Sequence, residues 1–299
     1  MFKPITFFLA ALVLLVSCSI KEDRMQCTAP VTVSVSGFNA SQGPFPDSKA
    51  TALADYPDVK AMTLAIYKVT GNAYEQVYFK AQYKDSPTTF TTFGSFNCTL
   101  PYGSYKLVVI GHNYAGNSPE AVIVNNHELA YFGNATNTVK EAFTATKTFS
   151  ISNSNALNLT ATLDRIVSKV VVATTDNRPS QCHHIVVNFS KGSTQFNPST
   201  GLAANDNGFT VKFYPPAAEV GTPVNQVLYL FLASDEETMD ITLTAQDQVD
   251  NPLYTTTVQG VPLKRNRVTT LSGAMFSPDV TSGSFQLNTE WGTGNAVNY

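Results

Sequence analysis

Tyr105-Lys106-Leu107-Val108-Val109-Ile110 is the run that decides the fold. All but Lys106 are apolar, and Val108, Val109 and Ile110 are β-branched. A run this short, bounded by turn residues, reads as a strand rather than a helix. Strands with one wet face alternate; an unbroken apolar run needs cover on both faces. The run therefore predicts a central strand lying between two layers.

Working outward, Pro101-Tyr102-Gly103 turns the chain into this strand, with strands expected over 88–93 and 95–100 before it. Met62-Thr63-Leu64-Ala65-Ile66-Tyr67 and residues 74–79 flank the turn Thr70-Gly71-Asn72-Ala73 and read as a hairpin. Val31-Thr32-Val33-Ser34-Val35-Ser36 alternates strictly and is the expected first strand, followed by a Gly-, Pro-, Ser- and Asp-rich loop over 38–57. After the central run, 112–120 reads as polar loop, 121–124 as a short strand, and 142–151 as the strand that closes this half.

Asn153-Ser154-Asn155 is the expected linker. Beyond it Leu159, Ala161 and Leu163 alternate and 166–172 is β-branched, which favours two strands over a helix. Further strands are expected at 184–189, 209–214, 227–233, 239–245 and 253–258. Val261-Pro262-Leu263 enters the basic turn Lys264-Arg265-Asn266-Arg267, residues 268–271 leave it, and 285–291 forms a last alternating strand. Each half has the strand number and spacing of a β-sandwich. The expectation is an all-β chain with an N-terminal sandwich over 31–153 and a C-terminal one over 154–299.

The opening residues carry a different signal. Lys3 precedes the apolar segment 5–16, which has the length of a signal-peptide core. A membrane-spanning helix needs about 20 such residues. Leu15-Val16-Ser17-Cys18 resembles a bacterial lipobox, with Leu15 three places before the cysteine and a small residue just before it. The expected processing removes residues 1–17 by cleavage between Ser17 and Cys18. Cys18 then carries diacylglycerol through a thioether, and its freed amine is acylated too. Several chains at about 0.8 kcal/mol per buried CH₂ make a stable anchor. Residues 18–30 become a lipidated tether. Ser19, not Asp, follows the cysteine, and Lys21-Glu22-Asp23 resembles an export signal to the outer face of the outer membrane.

Charged residues are 14% of the chain and the net charge is −3, so no broad basic field exists and nucleic acid is excluded as a partner. Candidate chemistry is sparse. His183-His184 sit at a strand start, where neighbours point to opposite faces. His112 and His127 fall in polar loops without ligand spacing. Asp235-Glu236-Glu237 with Asp240 reads as a solvated turn rather than a calcium site, and Asp247, Asp250 and Asn251 as turn residues. Tyr214, Tyr229, Phe231 and Trp291 occupy alternating strand positions, where core packing competes with sugar stacking. No nucleophile elbow or phosphate loop occurs. The expectation is no enzyme, no cofactor and no metal. Besides Cys18, the thiols Cys27, Cys98 and Cys182 admit at most one disulfide, and a Cys27–Cys98 pair stays open. Cys98 and Cys182 read as buried apolar residues.

Ser17-Cys18-Ser19-Ile20-Lys21-Glu22-Asp23-Arg24-Met25-Gln26-Cys27 resembles the opening of anchor lipoproteins of Bacteroides-type (type V) fimbriae, the FimB-like family. Leu100-Pro101-Tyr102-Gly103-Ser104-Tyr105, the segment 163–170, and Val261-Pro262-Leu263-Lys264-Arg265-Asn266-Arg267-Val268-Thr269-Thr270-Leu271-Ser272-Gly273 with Glu290-Trp291 resemble the wider fimbrillin superfamily. The resemblance implies two transthyretin-like sandwiches in tandem. It also implies a stalk partner joined by strand addition: stalk subunits lose their first strand to an arginine-specific protease, and a neighbour's strand fills the groove. An anchor keeps both lipid and first strand. No arginine occurs between Met25 and Asp164, and the chain runs only eight residues past Trp291. The expected function is an outer-membrane lipoprotein that anchors a fimbria or terminates its assembly. The alternatives are a stalk or tip subunit cut by another protease, and a surface glycan-binding lipoprotein.

Overall fold

The computed structural model describes residues 27–39, 51–52, 59–84, 93–113, 123–132, 138–277 and 286–288. Ser17, Cys18, the leader, residues 88–92 of an expected strand and Trp291 lie outside them. In chain order the first strands are β1 (Thr28–Asn39), β2 (Thr51–Ala52), β3 (Ala61–Thr70), β4 (Ala73–Tyr83), β5 (Ser95–Pro101), β6 (Gly103–His112), β7 (Ile123–Asn126), β8 (Leu129–Tyr131), β9 (Ala142–Ile151) and β10 (Leu157–Arg165). There follow β11 (Ser168–Asn177), β12 (His184–Phe189), β13 (Gln195–Asn197), β14 (Leu202–Ala203), β15 (Phe209–Phe213), β16 (Pro223–Leu230), β17 (Glu236–Gln246), β18 (Pro252–Lys264), β19 (Val268–Gly273) and β20 (Gln286–Asn288).

The deciding run lies in β6, at the centre of a layer ordered β9-β6-β3-β4. All its pairings are antiparallel. The facing layer is β5-β1-β10, with β2 beside Gly37 and Phe38. Tyr105, Leu107 and Val109 point between the layers and pack with Val31, Val33, Leu64, Ile66, Phe143 and Leu159. Val108 and Ile110 point the other way, into a separate core with Ala65, Tyr67, Phe132, Ile166, Phe196 and Phe231. Both faces of β6 are thus covered, as its composition requires.

That second core joins the two halves. A small sheet ordered β14-β13-β8-β7 lies over it, and the β8–β13 pairing links Ala130 and Tyr131 to Phe196 and Gln195 across the molecule. The Phe231 ring stacks on Phe196 at 4.5 Å and lies 6.4 Å from Phe132. The second sandwich packs β16-β11-β19-β20 on β15-β12-β17-β18 around Val172, Ile185, Phe189, Ile241, Leu243 and Leu271. The all-β architecture of two sandwiches is as the strand pattern predicts.

Several particulars differ. The boundary expected between residues 153 and 154 falls in the turn between β9 and β10, inside the first sandwich. The reason is register: β10 runs parallel to β1 from Val31↔Leu157 to Asn39↔Asp164, and its Leu159, Ala161 and Leu163 fill the first core. The chain passes to the second sandwich at Ile166-Val167. His112, expected in a polar loop, is the last residue of β6, buried and paired with Ala142 and Ala61. Cys182 is buried as expected, although it lies in the turn before β12 rather than in a strand.

Phe231→Ala is expected to cost about 3–5 kcal/mol in urea unfolding, because its ring has partners from both halves. Tyr214→Ala, at a side chain 56% exposed, is expected to change stability by less than about 0.5 kcal/mol.

Candidate assembly site

β1 is a strand inserted between two others. Its antiparallel register on β5 runs from Thr28↔Pro101 to Ser34↔Ser95, and β10 lies parallel on the other side. The Val-Thr-Val-Ser-Val alternation sends Val31, Val33 and Val35 inward, all buried. Thr32 points outward, where its hydroxyl meets Asn97 Oδ1 at 2.8 Å. A bulge between Val35 and Gly37 resets the alternation, so Phe38 also turns inward and meets Phe143 edge-on at 4.9 Å. With Ala29 these buried side chains contribute on the order of 10 kcal/mol. β1 is therefore a full member of the core, and its removal would open a slot between β5 and β10.

The open disulfide pairing is not formed: Cys27 and Cys98 are both free. The register explains it. Cys98 sits opposite Val31, whereas Cys27 lies beyond the end of the ladder, its carbonyl accepting from the Tyr102 amide at 3.0 Å. Burial raises the Cys98 thiol to about 11.

The basic turn is not a free patch. It carries the chain from β18 in one layer to β19 in the other, with Asn266 in the left-handed region at φ 58°. The Asn266 amide donates to Val167 O at 2.8 Å, and Asn266 Oδ1 accepts from Arg165 Nη1 at 2.9 Å. Arg165 Nε meets Glu141 Oε1 at 2.7 Å, with both side chains buried, and its guanidinium lies 5.1 Å from the Phe143 ring centre. Arg265 donates to Thr200 O at 2.9 Å and pairs with Asp235 at 2.6 Å, while Lys264 pairs with Glu236. Gly201, at φ 71°, lets the 198–201 turn close on this group; a Cβ there would lie 2.5 Å from Ile166 Cγ2. The residues surround a cleft of about 760 Å³ at the crossover between the halves. These cations bind protein groups, so the turn is a clasp.

The acidic cluster is likewise occupied. Asp235 and Glu236 hold the basic turn, Glu237 accepts from the Ala233 amide at 3.2 Å, and Asp240 accepts from the Gly260 amide at 2.8 Å. Burial, the largest influence on Glu237, raises its pKa. Among the described residues no group of three or more His, Cys, Asp or Glu is gathered to hold a metal ion. Asp247 closes a turn, accepting from the Val249 and Asn251 amides at 2.9 Å each.

His183 and His184 do meet, with their Nδ1 atoms 3.2 Å apart, because His183 precedes the strand and need not alternate. His184 is buried, and its Nε2 lies 2.7 Å from Gln246 Oε1 and 3.0 Å from Asp250. The pair ties β12 to the β17–β18 turn. His127 stacks on Tyr74 at 3.6 Å. Of the aromatics, Phe231 is buried and Tyr229 half-buried in the joining core, while Tyr214 packs on the two histidines. They form no common face. Of the small joining sheet, sequence reading expected only the short strand at 121–124, which overlaps β7; β8, β13 and β14 are too short to show any period.

Two sandwiches in tandem, with a seated first strand and a charged clasp between them, define a two-domain β-sandwich protein. A family model described as a family of unknown function, DUF6562, matches residues 26–291, and the chain belongs to that family. No curated protein matches the sequence. Among solved structures the fold is similar to a candidate adhesin from Bacteroides ovatus, at TM-score 0.51 and 10% identity, over 88% of this chain and 97% of that one. It is also similar to the fimbrial anchor protein Mfa2 from Porphyromonas gingivalis, at TM-score 0.51 and 10% identity, over 88% and 98%. At these identities the likeness is one of fold.

Arg165→Met would leave Glu141 charged and buried, and is expected to cost about 3–5 kcal/mol, part of which a second change, Glu141→Gln, restores in a double-mutant cycle. Acid adds a second expectation. Burial lowers His112 from 6.5 to about 4, so the unfolded chain binds a proton in that window and the folded chain does not. Stability should fall by up to about 3 kcal/mol as pH drops from 6.5 to 4, and His112→Gln should flatten that slope in urea titrations.

Proposed function

We propose that this chain is a lipid-anchored outer-membrane subunit that holds a fimbria at the cell surface or ends its assembly. One observation carries the reading: β1 is seated between β5 and β10 with its apolar side chains buried, and no arginine lies between Met25 and Asp164. An arginine-specific cut at Arg24 would release the protein from its tether yet leave β1 in the core. The slot that a neighbour's strand would enter stays filled, and main-chain donors that would bind that strand are already paired. The lipobox ending in Ser17-Cys18 supplies the anchor. The resemblance of residues 17–27 to fimbrial anchor lipoproteins and the fold shared with Mfa2 support the same reading. The role is structural, with a fimbrial stalk subunit as the partner.

The test is a comparison of outer-membrane and shed-fibre fractions by N-terminal mass analysis, with labelled palmitate as a second readout. The expected result is label on the wild type, none on Cys18→Ala, and an N-terminus at Cys18, or at Met25 after arginine-specific proteolysis. Chains in fibres that begin beyond Asn39 would overturn the anchor reading and make this a stalk subunit.

A further inference from the structure

With β1 seated, the slot between β5 and β10 is closed to a neighbour's strand, so a partner must meet the chain elsewhere. The second sandwich runs from the crossover at Ile166-Val167 to an end built by three loops. These are 178–183, 214–222 and 247–251, which join β11 to β12, β15 to β16 and β17 to β18. Nine large apolar side chains stand exposed among the described residues. The two most exposed, Val249 at 74% and Tyr214 at 56%, are both at this end, and Val220 lies in the same loop as Tyr214.

The three loops are held as one surface. Buried Arg178 donates from Nε to Cys182 O at 3.1 Å and from Nη1 to the Pro215 and Pro216 carbonyls at 2.9 Å each. Its main chain grips the same loop: the Arg178 amide donates to Thr222 O and the Gly221 amide to Arg178 O, both at 2.9 Å. Tyr214 lies against His183 and His184, with ring centres 5.5 and 5.3 Å away. His184 reaches Asp250, which also pairs with Lys212 at 2.8 Å, so β15 is tied to the β17–β18 turn. Val249 rides on that turn, which Asp247 closes. An aromatic anchor and two valines inside a rim of Lys212, Glu219, Asp247 and Asp250 have the make-up of a protein-docking patch. Because the loops are already fixed, ordering them costs a binding partner little entropy.

The occupant follows from where the tether enters. β1 begins at Thr28, level with the Pro101-Tyr102-Gly103 turn, and runs toward the crossover, ending opposite Asp164. Residues 18–26 therefore reach the first sandwich at its end away from the crossover. β11 leaves the crossover at Ser168 and ends at Asn177, beside the braced loops. The tether and the patch thus lie on either side of the crossover, each a strand's length from it. β1 has 12 residues and β11 has 10, which span roughly 40 Å and roughly 33 Å. A chain held to a membrane through residue 18 has its first sandwich on the membrane side. A second copy tethered in the same membrane has the same orientation, so two patches meet end on only if one copy is inverted. We propose that the braced loops receive the fimbrial stalk subunit, through side-chain contact around Tyr214 and Val249. The assignment rests on the anchoring reading above and adds the place where the fibre is held.

Photo-cross-linking in fimbriated cells tests this, with benzoylphenylalanine in place of Val249 and, as a control at the tether end, in place of exposed Tyr102. The adduct expected at position 249 contains a subunit that mass analysis also finds in the shed-fibre fraction, and position 102 yields no such adduct. Adducts at 249 that lack a fibre subunit, or that hold a second copy of the chain or a polysaccharide instead, would overturn the proposal. Retention of fibres is the second readout. The double variant Tyr214→Ala, Val249→Asp is expected to keep its thermal melt and its palmitate label while cell-bound fibre falls about tenfold, as it should in Cys18→Ala. Fibres kept by the double variant but lost from Cys18→Ala would leave the anchoring reading standing and defeat the docking assignment. Fibres kept by both would defeat both.

Discussion

β6 cannot stand in water on either face, and the rest of the architecture answers to that. Its inner face needs a second layer, which β5, β1 and β10 supply. Its outer face needs a cover that the first sandwich cannot provide, because Val108 and Ile110 already lie outside that core. The cover comes from residues of the second half, Ile166, Val167, Phe196 and Phe231, together with the small joining sheet. Two sandwiches that could have been beads on a string therefore share a dry interface. Such an interface couples the halves without relying on a flexible linker.

The same accounting separates two kinds of strand. β1 has neighbours on both sides and buried side chains along its length, so its free energy is spent inside the protein. β4 has one neighbour and exposed aromatic side chains, so part of its pairing capacity remains outside. β1 has a parallel partner, as β11 has in β19: β10 cannot reach β1 through a hairpin and follows the whole of the opposite layer in sequence. The first strand thus takes its two neighbours, β5 and β10, from distant parts of the sequence. Its seat is built by residues distant in sequence, which is the property that makes a strand exchangeable between chains in principle.

Strands announced themselves in the sequence wherever they had one wet face or were long and apolar. Val31 to Ser36, Met62 to Tyr67 and the β6 run are examples. The two-sandwich fold followed from their number and spacing. What the residues could not announce was partnership. Leu159, Ala161 and Leu163 alternate equally well in either sandwich, and only the parallel register with β1 assigns them to the first. His112 looked like loop because polarity was read locally, while its burial is decided by Ala61 and Ala142 beside it. The β8, β13 and β14 pieces are too short for any period. The lipobox-like run ending at Cys18 was read by a different logic, that of a short motif, which needs no fold at all.

The charged clasp shows why composition misled at one point. A run of Lys264, Arg265 and Arg267 reads as a solvated hairpin tip, because charges are rarely buried. Here each reaches a different group: Glu236, Asp235 with the Thr200 carbonyl, and the Asn266 carbonyl at 3.1 Å. The cations of the turn fasten it to carboxylates and main chain of the second half, and Asn266, held in that turn, meets Arg165 at the end of β10. An apolar core sets how strongly two bodies adhere but is tolerant of small slips. Directional contacts such as Arg165 to Asn266 and Asn266 to Val167 are not, since each loses its worth beyond a few tenths of an ångström. The greasy interface supplies the adhesion and the clasp supplies the angle, so the relative orientation of the two sandwiches is encoded mainly by residues 165–167 and 264–267.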